Sequence, residues 1–415
     1  MRRYSALLTS AMVFWGLFAL SGHAAFGQTL RENNEVLLEQ IQRVHGLSEA
    51  QTGSIRSIFQ ASGYIGQGNP AVTRHPMTPE QCREKVGKSG VSYEDTRFES
   101  ICGAKYMAPL YNPADEKPEA AKACIDQFEF PDIPCTYPVV WVRAREAALI
   151  CESMGKRLCD AHEWEGACAG ALLPPDYRFD LAKGVPPNVA VERMRQASNR
   201  FYGEQKTWAY GSHYEKGVCA ASSVKTPGCN GGSWTGCGSN TFPSGSFPAC
   251  RSALGVYDQH GNAAEHMNLP LNEGQMASRG SKELGYTEMK GSWFIFDTYY
   301  AHPDWCRWRA PFWHGGRVMD PNSHHNYHLG FRCCKTIKEN HSNELSGVGG
   351  LQEPPDSSND PFVADQPGET RVFQHAVNGD RCVVDEDGVA HQADTVTVVG
   401  IPFAVDGAEG LNRDP

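Results

Sequence analysis

Gly291-Ser292-Trp293, Cys306-Arg307-Trp308-Arg309 and Leu329-Gly330-Phe331-Arg332-Cys333-Cys334 punctuate one stretch of this chain, residues 291–334. Between these markers lie Phe294, Phe296, Tyr299, Tyr300, Trp305, Phe312 and Trp313, with His302, His314, His324, His325 and His328. Aromatic side chains bury much area and keep a polar tip, so part of this run is expected in the core and the rest can line a groove. Imidazoles suit iron, copper or zinc. Here no His-x-x-x-His helix fixes a geometry, and the acids within the stretch are few, Asp304 and Asp320 among them. A histidine-rich surface loop is the plainer reading. No cysteine falls between Cys250 and Cys306.

Two earlier blocks belong with this stretch. The first is Gly155-Lys156-Arg157-Leu158-Cys159-Asp160-Ala161-His162-Glu163-Trp164-Glu165, and the second is Gly255-Val256-Tyr257-Asp258-Gln259-His260-Gly261-Asn262-Ala263-Ala264-Glu265. In structural terms Trp164 and Trp293 are large core aromatics, and Arg157 with Glu165 is expected as a buried or bridging ion pair. Buried charges persist only when paired.

The three blocks, in this order and spacing, resemble the formylglycine-generating enzyme (sulfatase-modifying factor) family from roughly Lys122 to Lys335. The resemblance implies an α+β fold, C-type-lectin-like, with little regular secondary structure and a disulfide-rich core. It implies bridges joining Cys151 to Cys333 and Cys168 to Cys306. It also implies structural calcium, held largely by carbonyls at Asp258, Gln259, Gly261 and Ala263, with a second set beginning at Asn199 and Arg200. Calcium accepts such oxygen ligands; a calcium-free loop held by disulfides is the alternative. The family's oxidase binds copper(I) through two thiolates, three and eight residues after the serine of its Gly-Ser-Trp/Tyr motif. Counting from Ser292, those positions are Ile295 and Tyr300. Neither is a thiol, so neither copper nor formylglycine generation by that route is expected. The candidate groove comprises Ser292, Trp293, Tyr299, Tyr300, His302, Trp305, Trp308 and Glu265.

Outside these blocks, the start Met1-Arg2-Arg3-Tyr4, the apolar run Ala6 to Leu20 and the small residues Ala24, Ala25 and Gly27 have the shape of a secretory signal peptide, residues 1–27. The rival reading, an uncleaved anchor, suffers from a run shorter than the ~20 residues a span needs. All 15 cysteines follow. In an exported chain that density implies a disulfide framework, and the absence of Cys-x-x-Cys removes a zinc ribbon. Proximity alone pairs Cys82 with Cys102 and Cys124 with Cys135. Cys159 goes with Cys334; Cys219, Cys229, Cys237 and Cys250 pair among themselves; Cys382 is left over. A periplasmic or secreted location follows, with no integral membrane segment after cleavage. The formal charge of −10, with no long basic block in the chain, argues against a nucleic-acid surface.

Residues 28–121 are expected to be a helical extension, either packed on the core or a separate adaptor. Leu37, Ile41 and Val44 have helical spacing in Leu30–Leu47, a second helix spans Ser48–Phe59, and Thr78-Pro79-Glu80-Gln81 is a capped helix start. Within the core, residues 122–337, Cys124–Phe130 alternates like a strand. Arg143–Met154 is a helix ended by Gly155, and Asp160 to Glu163 opens another. Tyr210–Ser252 reads as irregular loop. Residues 338–370 form a polar linker, and 371–415 a small β-rich segment that includes Thr395–Val399.

Three functional readings remain open. One is a ligand-binding or accessory module of the cell envelope, its ligand a small molecule, peptide or protein. Another is an oxidoreductase of the same family on another substrate, resembling thiol-less relatives of siderophore maturation, with Glu265, His302 or Tyr300 as acid, base or ligand. The third is a variable ligand-display protein using Asp320–His328; the long extension past Cys334 counts against it.

Overall fold

A computed structural model of the chain describes residues 29–312 and 315–337, and beyond them the backbone of three short strands. The expected signal peptide, the linker, Thr395–Val399, Trp313 and His314 lie outside the described residues, as does the side chain of Cys382. The chain forms two compact units, 1–340 and 341–415.

In the first unit, Thr29, Ser48 and Thr78 each close a capping box, opening helices α1 (Leu30–His45), α2 (Glu49–Ser62) and α3 (Pro79–Ser89). Each ends on a left-handed glycine, Gly46, Gly63 or Gly90. Helix α4 (Thr96–Cys102) leads into strands β1 (Met107–Leu110) and β2 (Ala123–Asp126). Then come α5 (Ala144–Ser153), β3 (Arg157–Leu158), α6 (Ala161–Ala169) and α7 (Pro187–Tyr202). Strands β4 (Ala264–Leu269), β5 (Tyr286–Lys290), β6 (Leu329–Phe331) and β7 (Cys333–Thr336) complete the unit. The elements are short and separated by long loops, an α+β fold with little regular structure.

One sheet has the order β1-β2-β7-β3, antiparallel throughout. The other, β5-β4-β6, pairs β4 antiparallel with β5 and parallel with β6. The motif Leu329–Cys334 therefore feeds one sheet with its first half and the other with its second. Gly330 is required there: a Cβ would lie 2.7 Å from the Val139 carbonyl oxygen.

Helices α1 and α2 do not stand apart. Leu37, Leu38, Ile41, Ile55 and Phe59 share one core with Ile150 of α5 and Phe331 of β6. The alternation in Cys124–Phe130 does not produce a strand of that length. Strand β2 stops at Asp126, and every residue from Ala123 to Phe130 is buried. The chain passes through the interior here, so Gln127 and Glu129 are buried with polar partners instead of facing water.

Seven disulfides brace the unit. Cys151–Cys333, Cys159–Cys334 and Cys168–Cys306 tie α5, β3 and α6 to the last segment. Cys219–Cys250 and Cys229–Cys237 order the irregular region. The proximity pairings fail at the first four cysteines: the bonds are Cys82–Cys135 and Cys102–Cys124. The antiparallel β1–β2 pairing places Cys124 opposite Pro109, close to the end of α4 that carries Cys102. In the second unit, β8 (Val372–Gln374), β9 (Arg381–Val384) and β10 (Ala390–Gln392) make an antiparallel sheet.

Candidate functional site

Strand β5 ends at Lys290, and Gly291 turns the chain with φ +75°. A Cβ there would approach the Gln259 carbonyl oxygen to 2.9 Å, so only glycine fits the turn. The turn delivers Ser292 into the interior. Its hydroxyl donates to Asp304 Oδ2 at 2.9 Å and accepts the Gly261 N–H at 2.9 Å. Asp304 Oδ1 accepts the Trp208 indole N–H at 2.9 Å. Burial opposes the Asp304 charge, but His260, Trp208 and Ser292 together hold its carboxyl below the usual range. His260 Nδ1 lies 3.4 Å from Asp304 Oδ2, close but outside good hydrogen-bond geometry. On the other side of the ring, Nε2 accepts the Ala209 N–H at 3.0 Å. It also sits 3.3 Å from Cys168 Sγ and 3.8 Å from Cys306 Sγ.

The two residues at the family's thiol positions part company. Ile295 is buried in a cluster with Val140, Trp141, Phe294 and Tyr327. Tyr300 is 68% exposed and Tyr299 43%. Trp293 stacks toward Tyr299, ring centroids 6.4 Å apart, and the Lys225 ammonium lies 5.9 Å from the Tyr299 ring. His302 is buried and stacks on Trp308 at 4.9 Å. Trp305 and Trp308 are buried in a cluster reaching Tyr202 and Trp208. Of the candidate groove, then, Trp293, Tyr299 and Tyr300 reach the surface, while Ser292, His302, Trp305 and Trp308 lie beneath it.

Glu265 is not among the surface set. Its carboxylate receives Arg332 Nη2 and Nε, each at 2.7 Å, and the Trp164 indole N–H at 2.9 Å, all buried. The expected Arg157–Glu165 pair is not formed either. Arg157 grips Glu163 at 2.6 and 2.7 Å. Glu165 instead takes Lys290 at 2.7 Å and Arg309 at 3.0 Å. Helix geometry explains the exchange. Glu163 is the capping residue of α6, at the end that faces β3, while Glu165 points to the opposite side. Burial opposes ionisation of Glu165, but Arg309 and Lys290 overcome it and hold its carboxyl at about 2.

The histidines do not converge. His325 packs against Tyr64 and Trp141, whereas His302 and His328 flank Trp293. Among the described residues, the group of three metal-capable side chains is Cys168, His260 and Cys306. No sequence spacing announced it: His260 is 92 and 46 residues from the two cysteines.

The calcium positions can be tested against their oxygens. Asp258 Oδ2 accepts the Gly245 N–H, while its Oδ1 is buried with no hydrogen-bond partner among the described residues. Gln259 Nε2 donates to the Trp164 carbonyl at 3.0 Å, and its Oε1 is likewise without one. These are side-chain oxygens rather than the backbone carbonyls the resemblance implied, though of a type a hard cation accepts. Gly261 and Ala263 use their N–H groups on Ser292 and Glu129. At the second set, the Asn199 side chain bonds the Arg309 backbone at both ends, at 2.9 and 3.0 Å. Arg200 lies in the last turn of α7.

Residues 70–337 match the family described as Sulfatase-modifying factor enzyme 1-like domain. The chain belongs to that family. The match covers well over half the chain and takes in α3, α4 and both sheets of the first unit. No curated protein matches the chain. Among solved structures, "Crystal Structure of CarF" is 14% identical, covering 66% of this chain and 93% of that one, with a TM-score of 0.23. No helix among the described residues is long and apolar enough to cross a membrane. In this sulfatase-modifying-factor-like domain the motif residues Arg332, Glu265 and Trp164 form one buried polar cluster, and Glu165 forms another with Lys290 and Arg309.

Proposed function

We propose that this protein is an exported member of its family, acting in the cell envelope as a ligand-binding or accessory module without formylglycine-generating activity. One observation carries the reading: no free thiol stands at the family's copper positions. Ile295 fills the core, Tyr300 faces solvent, and the fourteen cysteines among the described residues are paired as seven disulfides. Copper(I) needs soft thiolate donors, and a buried isoleucine supplies none. The disulfide density supports export, since such bonds persist in oxidising compartments.

What replaces the thiols is a surface of Trp293, Tyr299 and Tyr300 beside Lys225. Exposed rings of this kind bind ligands by stacking and by burying area. The ligand class is a peptide, protein or small molecule. Structural calcium at Asp258, Gln259, Gly261 and Ala263 belongs to the same proposal, resting on the two orphaned oxygens.

Oxygen uptake by the purified, disulfide-intact protein with a sulfatase-motif peptide and added copper(I) tests the first claim. The expected result is no uptake above the peptide blank and no stoichiometric copper. Peptide-dependent oxygen consumption, or one equivalent of thiolate-bound copper in the oxidised protein, overturns it. For calcium, a melting temperature unchanged between 1 mM calcium and excess chelator, about a millimolar being ample for extracellular sites, removes the ion from the proposal.

A further inference from the structure

The contact between His260 and the Cys168–Cys306 bridge is not explained by packing. A disulfide needs no imidazole beside it; an apolar side chain would fill the same space but leave the Ala209 N–H without its acceptor, so the ring has that task as well as its contact with the sulfurs. All three residues are at most 1% exposed. The ring is also oriented. The Ala209 N–H points at Nε2, which makes Nε2 the lone-pair nitrogen and leaves the proton on Nδ1, facing Asp304. The Asp304 carboxylate stands 3.4 Å from Nδ1, outside hydrogen-bond geometry but on the side from which a carboxylate aims a metal-binding histidine, while Nε2 faces the sulfurs and accepts the Ala209 N–H. Trp208 and Ser292 in turn fix Asp304.

Nε2 and the two sulfurs lie within 4.8 Å of one another. Around one tetrahedral zinc, with bonds of about 2.0 Å to nitrogen and 2.3 Å to sulfur, such donors sit roughly 3.5–3.8 Å apart. The imidazole already stands at 3.3 and 3.8 Å from the sulfurs. Two changes are needed: the sulfurs part from bonded to non-bonded contact, and the Ala209 N–H gives up the Nε2 lone pair. The cover is thin: the half-exposed turn 207–211 supplies Trp208 and Ala209, and its Thr207 carbonyl takes the Cys306 N–H.

We propose that Cys168, His260 and Cys306 form a redox-gated site for a thiophilic d10 metal ion, zinc(II) or copper(I), closed while the disulfide is intact. An external thiol opens it. Two R–SH molecules give two protein thiols and one R–S–S–R, transferring two electrons and two protons to the bridge. The ion then displaces the thiol protons and binds two thiolates and Nε2. Zinc(II) takes a fourth ligand from water; copper(I) is content with three. The ion captures the reduced state and delays its reoxidation. This site is separate from positions 295 and 300, and its test uses reduced protein, so the two proposals fail independently.

The test is differential alkylation. Full-length protein is reduced anaerobically with a small phosphine and desalted. It is then given zinc(II), copper(I) or no metal, and labelled with an isotope-coded alkylating reagent read at each cysteine by mass spectrometry. Either ion is expected to slow labelling of Cys168 and Cys306 together by about tenfold or more, with His260→Gln abolishing this protection. Asp304→Asn keeps all three ligands and is expected to weaken metal affinity about 10–100-fold, as loss of such supporting groups does. It serves as the second variant if His260→Gln does not fold. Unprotected Cys168 and Cys306 in the wild-type protein overturn the proposal. So does protection that survives both substitutions, which would place the metal on other thiols.

Discussion

Arg332 is fully buried, and its guanidinium serves the Glu265 carboxylate and the carbonyl oxygens of Asp126, Gln127 and Tyr257. Removing one partner of such a pair leaves an uncompensated charge, which costs about 3–5 kcal/mol. Arg332→Met is therefore expected to lower urea-unfolding stability by that amount, and Arg332→Met/Glu265→Leu by less than the single change. Asp258 behaves differently. Burial pushes its carboxyl up to about 7, against the Gly245 hydrogen bond and the Arg332 charge. A carboxyl raised from 3.8 in the unfolded chain contributes stability that is full below about 4 and is lost as pH rises through about 7. In chelator-treated protein, Asp258→Asn is expected to flatten that slope in pH-dependent melts; an unchanged slope assigns it elsewhere. Arg332 and Glu265 are both visible as motif residues. Their partnership is not, because 67 residues separate them and only folding brings the charges together.

The helices owe their ends to local chemistry, so they were legible. Thr78 accepts the Gln81 N–H and Gln81 returns the contact to the Thr78 N–H, with Pro79 preset at the first turn. Thr78→Ala is expected to cost about 1 kcal/mol, read as a lower urea midpoint. The same helix carries Cys82, bonded to Cys135 rather than to its sequence neighbour Cys102. Peptide mapping of unreduced protein is expected to recover Cys82–Cys135 and Cys102–Cys124; a Cys82–Cys102 peptide contradicts this fold. Proximity along the chain misled because the β1–β2 pairing, not chain distance, decides which sulfurs meet. Strand β2 misled for a related reason. Alternation signals a sheet with one wet face, and Ala123–Phe130 has none.

Across the whole first unit, Cys151–Cys333 and Cys168–Cys306 close loops of 182 and 138 residues. Irregular folds bury few backbone hydrogen bonds in regular ladders, so such closures carry weight. Replacing Cys151 and Cys333 together by alanine is expected to cost about 2–5 kcal/mol in thermal or urea unfolding. The family frame was readable along the chain, since its glycines and capping residues act through local geometry. The sequence also showed the missing thiols, because an isoleucine cannot become a copper ligand in any fold. Tertiary structure alone decided which acid meets which base, which aromatics reach solvent, and that His260 faces the Cys168–Cys306 bridge. Those contacts join residues tens to hundreds of positions apart, where neither periodicity nor spacing leaves a trace and only packing sets the distance.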